Sequence, residues 1–486
     1  MAFSDLYDWI SHLPHPSQWR RSVQSVRLFK MVELMAERRG GGKVCFSIDV
    51  TSWRTIPLGE FSCESMEVTT SCLFSFFIKS ISYLLHNIKE LGKSTELQLP
   101  SADPVPSNID LSITQSPNYP LIFNSAFLCV CLLVMSPVTD RLYPQITQEF
   151  TQLTFPEFLS AIGTHLETPL MRFLGAYFSA SFTSSLQEEP FHSSYARKIS
   201  DLWKVGIYSP IVCMKTAKSH HKLCNLPQTT GKLGDALRYQ QLESIIQLNH
   251  TIHLRHQEPY IKIEVGIDNL RCDVYPFDIL QASSCSDVIA TERYFPSRIS
   301  LSVTPQHQPG DDLAISVGES SPNPTVHNAN RSGLELSFQS PKQVGVKALF
   351  ETETSFDMKY WKYGQSAQGV SGIFTWVLYD PVNKTEVTSS KPPKFSFMDT
   401  NPWYRDRYRK PCSPFNNEGG VVFANDRYGK KFTWRLERKT EDKILKLKIE
   451  GTIWLTYWPN VYNTSFYETR SHEFCEQIEI PLVKSK

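Results

Sequence analysis

The clearest alternation of apolar and polar side chains in the chain runs from Leu445 to Trp458. Leucine, isoleucine, glycine and tyrosine occupy the odd positions, and lysine, glutamate, threonine and tryptophan occupy the even ones. A period of two is typical of a β-strand with one buried face. The even face changes from charged to aromatic halfway along, because Trp454 and Trp458 follow Lys446 and Lys448. We therefore expect one end of that face in water and the other end covered or in contact with a ligand.

Shorter alternating runs, separated by turn-forming residues, fill the chain from residue 245 onward. Little helical periodicity lies between them, which favours an antiparallel sandwich or barrel over a parallel sheet. In one of these runs Phe432, Trp434 and Leu436 share a face, and a turn should then connect it to the long strand that follows. The runs are Ile261–Ile267, Arg298–Val303, Leu313–Val317, Leu334–Phe338, Val344–Phe350, Gly372–Tyr379, Gly420–Asn425 and Lys430–Arg438.

The first half of the chain has a different pattern, in which apolar residues recur every three to four positions. This spacing predicts helices over Gln18 to Arg39, Met66 to Leu91 and Thr154 to Leu186. The most apolar run, Leu121 to Met135, is shorter than the roughly 20 residues that a membrane-spanning helix needs. A buried helix or strand is therefore favoured there over insertion into a membrane.

These patterns together predict an α+β fold, with a mixed, mainly helical N-terminal region followed by a C-terminal antiparallel β-sandwich or barrel-like domain. We expect a helical segment over residues 1–92, an exposed linker over 93–120, an apolar and mainly helical region over 121–244, and the β-sandwich domain over 245–486.

The composition of the chain bears on its partners and on its location in the cell. The 486 residues include 50 Lys plus Arg and 49 Asp plus Glu, a net charge of +1, so no global field points to nucleic acid or to an anionic membrane. Eleven cysteines lack a disulfide framework spacing, and the N-terminal residues lack the pattern of a secretory signal. We expect reduced thiols and an intracellular, cytoplasmic location.

Aromatic residues mark the candidate binding surface. Six of the ten tryptophans follow residue 360, and Trp454 with Trp458 would form a flat platform if exposed. A nearby segment interleaves arginines with aromatic rings and could bind phosphate or nucleic acid, although Asp406 and the neutral chain disfavour that use. Coverage of the two tryptophans by this segment is the favoured alternative, since large exposed apolar patches are uncommon. The residues singled out in the segment are Trp403, Tyr404, Arg405, Arg407 and Tyr408.

One cluster has the residue types of a zinc site. Cys213, His220, His221 and Cys224 supply thiol and imidazole ligands within twelve residues. Structural zinc sites usually use two short ligand pairs, and adjacent histidines seldom reach one ion, so we expect no cofactor, with zinc as the only alternative. The sequence contains no nucleophile elbow, dinucleotide-binding fingerprint or H-E-x-x-H helix.

Three functional hypotheses follow. The favoured one is a non-enzymatic intracellular binding or scaffolding protein with an aromatic-rich β-sandwich and a protein partner. The first alternative is an enzyme that acts on a carbohydrate or another polar substrate in an aromatic-lined groove, which would need two suitably spaced carboxyl groups. The second alternative is membrane association through residues 121–135.

Overall fold

The computed structural model describes the chain in separate stretches: residues 5–14, 16–29, 32–40, 43–50, 54–62, 80, 123, 126, 164–181, 193–216, 231–253, 260–277, 292–306, 313–317, 326–332, 352–358, 360–380, 385–386, 415–416, 419–424, 431–457, 459 and 468–482. These stretches are almost entirely antiparallel sheet. The predicted α+β class with a mainly helical N-terminal region is therefore wrong.

The N-terminal part is a four-stranded meander. A helix α1 (Asp5–Ser11) and a 3₁₀ turn (Pro16–Gln18) precede β1 (Val23–Phe29), β2 (Val32–Arg39), β3 (Lys43–Val50) and β4 (Arg54–Ser62), which pair in that order. Val26, Leu34 and Ile48 stand opposite one another and are buried. Residues directly opposite on antiparallel strands share a face, so this row forms the meander's core side.

The helix predicted over Gln18 to Arg39 is wrong, because β1 and β2 occupy that stretch as a hairpin. Two apolar strand residues on either side of a turn can mimic a helical spacing of three to four. The helix predicted over Met66 to Leu91 lies outside the described residues except for Ser80, which is helical and buried. Of the apolar run 121–135, only Phe123 and Ala126 are described, and both are helical and buried.

Four further helical segments have their bounds described: α2 (Thr164–Ser181), a 3₁₀ turn (Ile211–Cys213), α3 (Gly231–Arg238) and a second 3₁₀ turn (Arg438–Thr440). Helix α2 falls within the helical pattern predicted over Thr154 to Leu186. In the described part of the chain, no helix is long and apolar enough to span a membrane.

Two large antiparallel sheets follow. Sheet I has the order β14-β15-β10-β19-β20-β7, with β16 beside β15, and sheet II has the order β11-β18-β9-β8-β6-β5, with β17 beside β9. A separate hairpin joins β12 to β13. The strands are β5 (Ser193–Ile199), β6 (Leu202–Pro210), β7 (Lys215–Thr216), β8 (Gln240–His253), β9 (Tyr260–Pro276), β10 (Tyr294–Gln306), β11 (Leu313–Val317), β12 (Val326–Ser332), β13 (Thr352–Met358), β14 (Trp361–Gln368), β15 (Ser371–Asp380), β16 (Thr385–Glu386), β17 (Val421–Ala424), β18 (Lys431–Glu437), β19 (Ile444–Tyr457) and β20 (Glu468–Pro481).

Sheets I and II share one hydrophobic core, the arrangement of a β-sandwich. Aromatic rings fill part of the space between them: Phe374 of sheet I lies 4.4 Å, centroid to centroid, from Phe432 of sheet II, and Trp376 lies 5.8 Å from Phe423. The predicted antiparallel sheet and the aromatic-rich character of this region are thus confirmed. Trp361, Trp376 and Trp434 belong to this buried cluster, so they offer no surface for binding.

The long alternating strand has the predicted two faces. In β19 the odd residues Leu447, Ile449, Ile453, Leu455 and Tyr457 are fully buried, while the even residues up to Trp454 are exposed or half-buried. A turn connects β18 to β19, as predicted, but the two strands do not pair with each other. They belong to different sheets, and the connection through a 3₁₀ turn (Arg438–Thr440) carries the chain across the core. The four-part division of the chain stays a prediction, as do the runs 334–338 and 344–350, which lie outside the described residues.

Candidate functional site

The outer face of sheet I brings cations and aromatic rings into one row. Trp454 on β19 stands opposite Arg298 on β10, Arg298 stands opposite Val377 on β15, and Val377 stands opposite Lys362 on β14. Tyr379 lies two residues beyond Val377 on the same face of β15, because side chains alternate along a strand. We call Lys362, Tyr379, Arg298 and Trp454 the cation–aromatic row.

A β-bulge sets the alignment of this row. Between Pro296 and Arg298, strand β10 contains one residue more than β19, and the extra residue is Ser297. Such bulges redirect the side chains that follow them. Ser297 is buried, and its hydroxyl donates to the Trp454 carbonyl oxygen at 3.2 Å while accepting from Thr456 Oγ1 at 2.9 Å. These bonds fix the backbone beneath the Trp454 side chain.

Each cation of the row lies over a ring. The guanidinium carbon of Arg298 is 5.0 Å from the centroid of the Trp454 ring, and Lys362 Nζ is 3.9 Å from the centroid of Tyr379. The two rings are half-buried, whereas both cations are exposed. A cation–π contact at an exposed site contributes about 0.5–1 kcal/mol. The rings therefore hold the two charged groups in place without neutralising them.

The other described lysines on this face are neutralised. Lys446 Nζ lies 3.2 Å from Glu479, Lys448 Nζ lies 2.7 Å from Glu450, and Lys215 Nζ lies 2.7 Å from Glu473. The hydrogen bond to Glu450 raises the pKa of Lys448 above its ordinary value.

Within the described stretches, Arg298 and Lys362 have no such carboxylate partner. Among the described residues, the row thus carries two positive charges that no carboxylate pairs with. Half-buried hydroxyl residues lie beside it, in the next register row: Ser300, Thr375 and Thr452. The Thr375 hydroxyl already donates to the Gly364 carbonyl oxygen at 3.3 Å. Two cations with the hydroxyls of Ser300 and Thr452 beside them are suited to bind an anion with several oxygen atoms.

The structure separates the residues that the sequence singled out. Trp454 is half-buried on the outer face and belongs to the row. Trp458 and the segment residues Trp403, Tyr404, Arg405, Arg407 and Tyr408 lie outside the described residues, so coverage of the platform by that segment stays a prediction.

The zinc cluster is described at only one position. Cys213 is buried in the 3₁₀ turn that follows β6, and His220, His221 and Cys224 lie outside the described residues. Among the residues that are described, no three His, Cys, Asp or Glu side chains are grouped so that they could hold a metal ion.

Sequence reasoning missed Arg298, Lys362 and Tyr379. Arg298 and Tyr379 lie at the ends of two of the predicted alternating runs, Arg298–Val303 and Gly372–Tyr379. Their proximity to Trp454 depends on the strand order and on the bulge at Ser297, and no local sequence pattern indicates either of these.

Comparisons with known proteins give no family. No family model matches the chain, and no curated protein matches it. Among solved structures, the membrane-inserted form of the Clostridium perfringens NetB toxin aligns at 7% identity and a TM-score of 0.22, over 48% of this chain and 88% of its own. Clostridium perfringens delta-toxin aligns at 8% identity and a TM-score of 0.23, over 59% of this chain and 96% of its own. A pore forming protein aligns at 11% identity and a TM-score of 0.20, over 59% of this chain and 94% of its own. Similarity this low carries no inference about function.

Proposed function

We propose that this chain is a binding protein that holds an acidic segment of a protein partner on the cation–aromatic row. The observation that carries the proposal is the contrast in pairing on one sheet face. Three lysines there have a glutamate partner, whereas Arg298 and Lys362 lie over rings with their charges uncompensated in the described part of the chain. Complementary charge in the partner would satisfy these two groups.

The spacing of the two cations suits an extended acidic segment. Lys362 and Arg298 lie on strands that are separated by one strand, so their backbones are about 10 Å apart at ~4.8 Å per strand. Carboxylates two or four residues apart lie on the same side of an extended chain, about 7 or 13 Å apart at ~3.3 Å per residue, and these spacings bracket the backbone separation of the two cationic residues. A guanidinium whose face lies on a ring still presents its N–H edge to a carboxylate.

The alternative functions receive less support. Nucleic acid would be expected to require a longer basic stripe, and the glutamates that flank this row work against one. A carbohydrate-cleaving enzyme would need two available carboxyl groups near Trp454, but Glu450 and Glu473, which lie nearest in the strand register, are each paired with a lysine.

The test compares two double variants that change the net charge equally. Fluorescein-labelled deca-glutamate is titrated with the protein, and binding is followed by fluorescence anisotropy. The salt concentration is ~0.15 M, where the Debye length is about 8 Å and remote charges contribute little. We expect Arg298→Gln with Lys362→Gln to weaken binding about tenfold, or about 1.4 kcal/mol, because each exposed ion pair contributes about 0.2–1 kcal/mol.

The matched control is Lys446→Gln with Lys448→Gln, which removes two lysines of the same face that already have partners. We expect this control to bind deca-glutamate within about twofold of the unmodified protein. An equal loss in both double variants would refute the assignment of the row. Binding of heparin without binding of deca-glutamate would refute the acidic protein segment as the partner.

A further inference from the structure

A second polar cluster is buried beneath helix α2. Glu167, in the first turn of this helix, is 1% exposed. Its carboxylate accepts hydrogen bonds from Tyr208 Oη at 2.8 Å, from Arg197 Nη2 at 2.6 Å and from Lys204 Nζ at 2.8 and 3.0 Å. The hydroxyl of Tyr195 also donates to it. Four side chains thus converge on one carboxylate.

All four donors come from one β-hairpin. Strands β5 and β6 pair so that Arg197 stands opposite Lys204, and Tyr195 stands opposite Gly206. A Cβ atom on Gly206 would lie 2.5 Å from the Tyr195 ring, so the glycine allows the ring to cross the neighbouring strand. The hairpin therefore builds the donor set by itself, and helix α2 supplies only the group that the donors bind.

The charges in this cluster require an anion. Arg197 and Lys204 contribute two positive charges, and their side chains are each only 10% exposed. Burial lowers the pKa of Lys204, although Glu167 opposes the shift. Burial and the charge of Glu167 raise the pKa of both tyrosines, so their hydroxyls stay protonated as donors. Without a negative charge at this position, two cations would be buried together, which is strongly unfavourable.

We propose that Tyr195, Arg197, Lys204 and Tyr208 form a carboxylate-binding site on the β5–β6 hairpin, and that Glu167 is its intramolecular occupant. The site takes a small carboxylate whose two oxygens are both hydrogen-bonded. Helix α2 blocks it in the structure described here, and an external carboxylate binds when the side chain of Glu167 is absent or displaced.

Other contacts keep helix α2 in place when Glu167 is changed. Arg172 donates to both carboxylate oxygens of Glu243 on β8, at 2.8 and 2.9 Å, and its guanidinium lies 3.6 Å from the centroid of the Tyr275 ring. Leu170 and Leu174 on the helix are fully buried. A truncated residue 167 should therefore leave an enclosed space lined by the four donors, rather than a detached helix.

The test is chemical rescue of Glu167→Ala. We expect this variant to melt several degrees below the unmodified protein in sodium chloride. Sodium formate or sodium acetate at equal ionic strength should raise its melting temperature in a saturable way, because a ligand that binds only the folded state stabilises it. The unmodified protein should show no such difference between formate and chloride.

Glu167→Gln is the matched control, because its amide fills the same space without a charge. We expect it to be destabilised and to respond to formate no more than the unmodified protein does. If Glu167→Ala does not fold in chloride, the yield of refolded protein in formate and in chloride gives the same comparison. Equal melting temperatures of Glu167→Ala in formate and chloride, or equal refolding yields, would overturn the proposal.

Discussion

Gly451, in the middle of β19, is a position where the packing of sheet I leaves no room for a side chain. It stands opposite Leu301 of β10 and Phe474 of β20, and the pairing continues without a register shift there. A Cβ atom at this glycine would lie 2.4 Å from Phe474 Cζ and 2.7 Å from the carbonyl oxygen of Ser300. Gly451 is thus required by the close approach of neighbouring atoms, since β19 has no bulge at this position.

We predict that Gly451→Ala destabilises the protein by about 1–2 kcal/mol. Overpacking a well-filled interior costs about 1–3 kcal/mol. Replacing a glycine by alanine in turn favours the folded state by about 0.4–1 kcal/mol, because the unfolded chain has fewer conformations. The ring of Phe474 can rotate only within a buried site, and the Ser300 oxygen belongs to the backbone, so the overpacking cost should exceed the gain.

Guanidinium unfolding followed by tryptophan fluorescence measures this difference. Gly40→Ala is the control, because nothing lies within 4 Å of a Cβ atom at Gly40. In a Phe474→Leu background, Gly451→Ala should cost about 1 kcal/mol less, since the ring that it meets is gone. A neutral or stabilising Gly451→Ala, or a cost that is the same in the Phe474→Leu background as in the unmodified protein, would refute this reasoning.

Two further predictions concern titratable groups, Glu476 and Cys475 on β20 and Cys272 on β9. Burial raises the pKa of Glu476 despite hydrogen bonds from Ser194 and the Ala196 backbone, so the folded state favours the protonated acid. The stability that the protonated Glu476 contributes is therefore lost as pH rises from about 4.5 through the raised pKa. Glu476→Gln should therefore resist denaturant better at pH 7, with the gain disappearing toward pH 4, and a gain independent of pH would contradict the assignment. Cys475 is exposed, whereas Cys272 is fully buried and its pKa is strongly raised. Iodoacetamide should therefore label Cys475 at least tenfold faster than Cys272 in the folded protein, as measured by peptide mass spectrometry. Faster labelling of Cys272 would contradict the fold.

Periodicity predicted the sandwich strands well because their burial is one-sided. In β18, Phe432 and Trp434 are fully buried while Arg435 is exposed, as the alternation required. The same reasoning failed over Gln18 to Arg39. There Val26 and Leu34 are buried on facing strands of a hairpin, and their spacing along the chain also fits a helix. Two short strands and a turn offer too few positions for a period of two to be recognised.

The candidate site could be predicted only in part, because its geometry is non-local. Trp454 was identified from the aromatic half of its strand, but the cation over its ring comes from β10, far away in the sequence. The partners of Glu167 are likewise distant from it in the sequence. On an apolar helical pattern, one acidic residue looks like part of a solvated face, and only the tertiary structure shows that the β5–β6 hairpin encloses it.

The central claim, that the cation–aromatic row is the binding surface, is tested most directly by lysine footprinting. The protein is reductively methylated with and without saturating deca-glutamate, and the modification of each lysine is read by mass spectrometry. Lys362 and Lys446 are both exposed on the outer face of sheet I, but Lys446 already has Glu479 as a partner. We predict that deca-glutamate slows the methylation of Lys362 several-fold and leaves that of Lys446 unchanged. Equal protection of the two lysines, or protection of Lys446 alone, would contradict the claim.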